Sequence, residues 1–336
     1  MKCFRLALVL SIGAMLIFPI ATVLAGGAGE KTPALSKQKV VIGVSPKMKG
    51  APYWDTAGLG AVQAGKDLGI DVIVQSPTMA DATLQSTIID DFITRGVNAL
   101  VVAANDETAL IPVLQRATKQ GILIITYDSD VPNSARKYMV HASGTVDIGR
   151  RLGELLIKDM GTSGKVAIMT GGLGALNLNQ HIQGAKEILA KYPGIEIVKT
   201  VASGDDQQQA FINAENLLKS YPDLKGIIGV AAGEPPAACE AVTQAGKAGQ
   251  IAIVGLITPN SVKKYFQSNV MKDGLLWDPA ALTYAAVKVA NMLLQGQSPK
   301  DGDILYPGGS PIKIDGAYIF SGTTTFTPEN IGNFNF

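Results

Sequence analysis

The chain has 336 residues, of which 47% are hydrophobic and 17% charged, with 37 glycines. That apolar content is too high and that charge too low for a disordered chain, and the length favours two domains over a single core. Basic and acidic residues nearly balance, 29 Lys+Arg against 28 Asp+Glu, with no basic cluster to serve a nucleic-acid surface.

The chain opens on a targeting pattern. Lys2 and Arg5 precede an apolar run over 6–24, and Val23-Leu24-Ala25 offers small residues for cleavage before Gly26-Gly27. The run is long enough to span a bilayer as a retained helix. Pro19 inside it and the Gly/Ala/Lys-rich linker after it favour export, with 1–25 as a signal peptide cleaved near Ala25 and 26–38 as a linker. The mature chain then carries 27 Lys+Arg against 28 Asp+Glu. Cys3 leaves with the leader, so Cys239 is the one remaining thiol and no internal disulfide is expected. No cysteine lies near the cleavage point for a lipid anchor.

From Val40 onward, short apolar runs alternate with helix-length segments. Strands are predicted over 40–45, 71–75, 99–103 and 122–127, and helices over 52–68, 80–95 and 108–120. Asp81 is placed as an N-cap and Gly96 as a helix stop. The helix at 52–68 has a small inner face of Ala57, Gly60, Ala61, Ala64 and Gly65, which allows close approach to a neighbour. A further strand at 138–142 and a helix at 146–160 open a second series. Its strands are predicted over 165–170, 196–202, 226–230 and 251–256, and its helices over 178–191, 206–220, 235–245 and 260–267. The pattern of each series is that of a doubly wound parallel sheet. Past Asn269 the rhythm changes, with an extended piece at 275–279, a helix at 280–295, and late strands at 312–314 and 317–320 that cross back between lobes. The fold class is α/β, two Rossmann-like lobes joined by a hinge of several crossings. The first lobe spans 39–142 plus 278–300. The second spans 143–277, with parts of 301–336 shared between it and the crossovers.

The run Ile122-Leu123-Ile124-Ile125-Thr126-Tyr127-Asp128-Ser129-Asp130 sets the functional expectation. It is a buried strand stopping in acids, and ligands of open α/β sheets gather outside the carboxyl ends of the strands. Asp128 is a ligand contact at that end, or a loop acid or N-cap. Enzyme chemistry is poorly served. Only His141 and His181 could act as imidazole bases, and there is no Gly-x-Ser-x-Gly elbow. No metal cluster or phosphate loop stands out, since Gly171-Gly172-Leu173-Gly174 lacks the third fingerprint glycine; Asp90-Asp91 and Asp205-Asp206 read as helix-surface or N-cap acids. No enzyme activity, cofactor or metal is therefore expected.

A binding protein is the leading class, and candidate contacts sit after the strands. They are Lys47, Tyr53, Trp54, Asn105, Asp128, Asn177 and Trp277, with Ser129, Ala232, Thr258 and Asp278 as further candidates. One lysine, one acid, amides and aromatic faces suit a small polyhydroxylated ligand. Each has a structural alternative: a solvated loop lysine for Lys47, a helix staple for Tyr53 and Trp54, a loop cap for Asn105, a turn former for Asn177 and core packing for Trp277.

The residues resemble the periplasmic sugar-binding proteins of ABC importers, the type I periplasmic binding protein fold. The resemblance rests on the leader, Pro52-Tyr53-Trp54, Thr126-Tyr127-Asp128-Ser129-Asp130 and Ile253-Val254-Gly255. Within that family Gly274-Leu275-Leu276-Trp277-Asp278-Pro279 and the closing Phe326-Thr327-Pro328-Glu329-Asn330-Ile331 are similar to the autoinducer-2-binding and rhamnose-binding branch. The resemblance implies a ligand lysine at Lys47 and a ligand acid at Asp128. The branch's second-lobe Asp-Gln pair falls on Asn177-Leu178, and its Pro-x-Ala on Val230-Ala231-Ala232. A ribose-type pattern would need an Asn near Ala232 and an Asp near Ile257. The second-lobe half is thus expected to be less polar than either pattern, favouring a deoxy sugar, short polyol or furanosyl compound. The implied partners are that sugar-like ligand and an ABC permease in the membrane, with the protein a periplasmic monomer. The alternative is a periplasmic sensor that signals to a membrane receptor.

Overall fold

The computed structural model describes residues 39–336. The leader expected over 1–25 and the linker over 26–38 lie outside the described residues. In the first lobe β1 (Val41–Ser45), α1 (Pro52–Leu68), β2 (Asp71–Val74), α2 (Ala82–Thr94), β3 (Ala99–Val102), α3 (Ile111–Lys119), β4 (Leu123–Tyr127) and β5 (Tyr138–His141) follow one another. The strands pair in parallel in the order β5-β4-β3-β1-β2.

Alternation along these strands shows why the sheet is covered on both faces. In β3, Ala99 and Val101 join the core under α1, while Leu100 and Val102 join a separate cluster with Phe92 of α2 and Leu114 of α3. Side chains of a strand point alternately to opposite faces, so an unbroken apolar run requires helices on each side. Asp81 caps α2, its carboxylate accepting from the Leu84 amide at 2.8 Å, and Gly96 follows the helix at φ +66°. Both were legible in the sequence.

The second lobe repeats the plan. It comprises α4 (Thr145–Met160), β6 (Ser163–Thr170), α5 (Leu176–Leu189), β7 (Gly194–Ala202), α6 (Gln207–Ser220), β8 (Leu224–Gly229), α7 (Glu234–Gln244), β9 (Ala252–Gly255) and α8 (Pro259–Gln267). Its strands run parallel in the order β7-β6-β8-β9. In both lobes the order reverses beside the first strand, between β1 and β3 and between β6 and β8. These are the switch points at which open α/β sheets bind ligands.

The remaining elements tie the lobes together. β10 (Gly274–Leu276) adds to the second sheet through a bridge between Leu256 and Leu275. The chain then crosses back to α9 (Pro279–Leu294), which packs on α1. β11 (Lys313–Asp315) and β12 (Tyr318–Phe320) form a hairpin whose second strand runs parallel to β5, extending the first sheet. A last crossing leads to β13 (Thr324–Phe326), antiparallel to β10. The tail is thus shared between the two sheets. β13 escaped the sequence reading because three residues between Gly322 and Pro328 carry too little period to mark a strand.

Close packing of α1 uses the small residues noted in the sequence, and α5 has a glycine in the same role. A Cβ on Gly60 would lie 2.0 Å from the Ala280 carbonyl oxygen, so α1 and α9 touch backbone to backbone there. In the second lobe a Cβ on Gly184 would meet the Val146 carbonyl oxygen at the same distance, holding α4 against α5.

Candidate functional site: a cavity between the lobes

The first-lobe wall is built by loops at the switch point. Lys47, just beyond β1, is only 2% exposed despite its charge. Its backbone oxygen accepts from Asn105 Nδ2 at 2.8 Å, and the Asn105 amide donates to Gln85 Oε1 at 2.9 Å. Gln85 in turn donates to the Ala103 carbonyl at 2.8 Å and to Ser45 Oγ at 3.2 Å. This network holds the loops after β1 and β3 together and fixes where the lysine enters the cavity. Lys47 Nζ sits 5.7 Å from the centre of the Trp54 ring, within cation–π range.

The aromatic residues at the start of α1 and after β10 meet at Asp128. Tyr53 donates its hydroxyl proton to Asp128 Oδ2 at 2.5 Å and accepts from Trp277 Nε1 at 2.7 Å. Burial, reinforced by the Asp128 charge, holds the phenol proton far beyond the usual tyrosine range. Tyr53 and Trp54 pack edge to face with ring centres 4.7 Å apart. Asp128 itself has φ +60°, a left-handed conformation that a non-glycine residue adopts at some energetic expense and that recurs at functional sites. That backbone turn aims its carboxylate off the end of β4 instead of along the strand.

The second lobe answers with Asn177, in the first turn of α5. Its Nδ2 donates to Asp128 Oδ1 at 2.9 Å, and its Oδ1 accepts from Lys47 Nζ at 3.1 Å and from the Leu178 amide at 2.9 Å. Nearby, the Glu107 amide donates to the Gly174 carbonyl at 3.2 Å, so the lips of the two lobes also meet through backbone. The cavity thus closed has a volume of about 60 Å³. Apolar Leu178, Ala231, Ala232, Leu256 and Leu276 form much of its far wall.

Of the residues singled out from sequence, Lys47, Tyr53, Trp54, Asp128, Asn177, Trp277, Ala232 and Thr258 come together around this cavity. Three do not, and the expectations for them are corrected. Asn105 stands behind the wall as the brace of the Lys47 loop. Ser129 is fully buried in the tight turn after Asp128, where its amide donates to the Tyr127 carbonyl, and it does not line the cavity. Asp278 caps α9, accepting from the Ala280 and Ala281 amides at 2.8 and 3.1 Å. Asp130, also at the strand end, forms a buried ion pair with Arg136 at 2.5 Å.

The sequence reading missed Asp205, between β7 and α6, and Gln207, the first residue of α6, which line the cavity from the second lobe. The expectation of a second-lobe wall with little polarity is therefore corrected. A signal was present: one acid suffices to cap α6, and Asp206 does so by accepting from the Gln209 amide at 2.7 Å. Its neighbour Asp205 was surplus to that role. Burial pulls the Lys47 ammonium below the usual lysine range, against the opposing pull of Asp128 and Asp205. Burial pushes the Asp205 carboxyl up, with Lys47 opposing. Just behind it Glu234 accepts from Ser203 Oγ at 2.6 Å, and burial together with the Asp205 charge pushes it up to about 7. No cluster of metal-binding side chains is found among the described residues.

A family model described as a periplasmic binding protein domain matches residues 42–298. The chain belongs to the periplasmic binding protein family. Relatives of this binding protein include a D-ribose/D-allose-binding protein of Pseudomonas aeruginosa, 30% identical over 68% of this chain and 73% of its own. Two solved solute-binding proteins of ABC transporters share its fold. The one from Burkholderia graminis, in complex with D-arabinose, has a TM-score of 0.78 at 29% identity, covering 88% of this chain and 98% of that one. The one from Clostridium phytofermentas, with bound L-rhamnose, has a TM-score of 0.82 at 26% identity over the same shares.

Proposed function

We propose that this binding protein captures a single-ring sugar or a sugar-like molecule between its lobes and delivers it to the membrane permease of an ABC importer. The observation that carries the reading is the Asn177 bridge, by which one lobe grips the lysine and the acid of the other around an aromatic-walled cavity. Lys47 donates to ring or hydroxyl oxygens and Asp128 accepts from hydroxyls. Trp54 and Trp277 cover the C–H faces of the ring, and the alanine–leucine wall accommodates a deoxy position. At ten to fifteen Å³ per water-sized sphere, a cavity of about 60 Å³ holds roughly four to six of them, which suits one ring and not an oligosaccharide.

Closure follows from differential contacts. The ligand draws the equilibrium toward the closed state only by the bonds it makes to both lobes at once. Export into the periplasm, with the leader removed near Ala25, places the protein where an importer can receive it. No catalytic step is part of this reading.

The test is a thermal-shift and calorimetric screen against D-ribose, D-arabinose, L-rhamnose, D-allose, short polyols and autoinducer-2. A sugar at a hundred times its Kd is expected to stabilise the protein by about 2.7 kcal/mol. Stabilisation by amino acids or peptides alone would sink the reading. Deletion of the gene is expected to abolish uptake of the stabilising sugar. Intact uptake with a lost response to that sugar would point to a receptor instead of a permease.

A further inference from the structure

We propose that Asp205 is the second-lobe anchor of the ligand, a carboxylate kept without a protein partner so that it can accept hydrogen bonds from ligand hydroxyls. The inference rests on the sugar-binding reading above and assigns a further specificity-determining residue to the same cavity.

Three independent features single this acid out. Its side chain lines the cavity and, among the described residues, forms no hydrogen bond or ion pair, whereas Asp128 opposite has both carboxylate oxygens engaged. Its backbone is held at φ +62°, matching the +60° of Asp128, so both acids stand in the left-handed conformation that side chains adopt at some strain. Room for it is present: a Cβ on Gly171 would lie 2.0 Å from Asp205 Oδ1, so a side chain at 171 would push the carboxylate from its present place.

The charges around the cavity explain what the acid is for. Lys47, Asp128 and Asp205 face a common space, yet among the described residues Lys47 forms no ion pair within 4.0 Å with either acid. Oppositely charged groups held apart across a small cavity leave a place for a polar molecule between them, which water fills until a ligand displaces it. Lys47 has one hydrogen bond, to Asn177, and so retains two N–H donors. Asp205 has only acceptor capacity. A molecule that fits must therefore accept at Lys47 and donate at Asp205, and a hydroxylated ring does both. Carbons lacking hydroxyls then fall against Ala231, Ala232, Leu256 and Leu276.

A carboxylate maintained for a ligand weakens the empty protein, because a half-buried charge without a partner costs free energy that a neutral amide does not. The test compares wild type with Asp205→Asn, which keeps the shape and tolerates the left-handed backbone. The sugars are D-ribose, D-arabinose, L-rhamnose and D-allose, read by calorimetry and by thermal melting with and without sugar. The expected result is a pair of opposite changes: a Kd raised about tenfold to a hundredfold for the sugar that wild type binds, and a melting temperature of the sugar-free protein equal to or above wild type. An unchanged Kd would overturn the proposal, as would a fall in the sugar-free melting temperature, which would mark Asp205 as a structural acid. If wild type binds none of these sugars the sugar reading fails separately, and the direction of the sugar-free melting shift still decides whether the acid is held for a ligand or for the fold.

Discussion

Asn177 Nδ2 and Asp128 Oδ1 lie 2.9 Å apart, and this single hydrogen bond joins the first turn of α5 in one lobe to the end of β4 in the other. With the bond from Lys47 to the Asn177 oxygen, it makes one amide the clasp of the closed cleft. Each half of that clasp would be solvated if the lobes parted, so its contribution falls on closure and not on the stability of either lobe.

Asn177→Ala is accordingly expected to raise the Kd for the bound sugar about tenfold, the equivalent of ~1.4 kcal/mol. Thermal melting of the sugar-free protein should change little. Small-angle scattering checks the mechanism: the sugar-free variant should be more open than wild type. A variant that scatters like wild type and binds equally well would remove Asn177 from the clasp.

Asp128→Ala is expected to abolish detectable sugar binding while the protein remains folded. The substitution removes the acceptor for Tyr53 and Asn177 together, and hydrogen bonds to a charged group are worth about 1.5–3 kcal/mol each. Asp128→Asn, which suits a φ of +60°, should keep more of the native stability and still lose at least tenfold in affinity. Calorimetry on both variants, with circular dichroism as the folding control, makes the comparison.

Two glycines about 3 Å apart along α1, Gly58 and Gly60, should respond in opposite directions to a side chain. A Cβ at position 60 collides with the Ala280 backbone, so Gly60→Ala is expected to lower stability by about 1–3 kcal/mol or more. At position 58 the nearest atom to a Cβ would be Val74 Cγ1 at 3.6 Å, an ordinary contact. Gly58→Ala should therefore raise stability by roughly 0.5–1 kcal/mol through helix propensity. Urea unfolding of both variants tests the close approach of α1 to α9.

Glu234 gives a pH signature. Its carboxyl is pushed up to about 7 in the folded protein, against about 4.3 in an unfolded chain. The folded state therefore holds the proton more tightly, and the resulting stability is present at acid pH and lost as pH rises through about 7. Asp159, raised to about 7 by burial and by its hydrogen bond to Asp273, acts with the same sign. His181, driven down to about 3 by burial, acts with the opposite sign, losing stability as pH falls. The clean measurement is thus the melting temperature of Glu234→Gln minus that of wild type. That difference should grow in favour of the variant from pH 5 to pH 7.5, and a flat difference would show that Glu234 ionises normally.

Much of this molecule could be read without coordinates. The helix at Pro52–Leu68 was bounded correctly because a proline starts it, Gly69 follows it, and small residues recur on one face. The alternating series was legible because buried parallel strands are continuous apolar runs and their helices are amphipathic. Lys47, Asp128 and Trp277 stood out by type and by position at strand ends. Asn105 and Ser129 shared those positions but not the cavity, since a strand end has two sides and the chain itself does not say which one faces the other lobe. Asp205 was hidden by the opposite fault, being read together with Asp206 as a capping acid.

The amino-acid sequence alone therefore determined the doubly wound lobes and the grouping of polar and aromatic side chains at the carboxyl ends of their strands. These depend on local periodicity and residue type. Only the tertiary structure decided which strand-end side chains share one space. The distance from Asn177 to Asp128, the left-handed turns at Asp128 and Asp205, and the seat that Gly171 leaves for Asp205 all arise where two lobes distant in sequence come together.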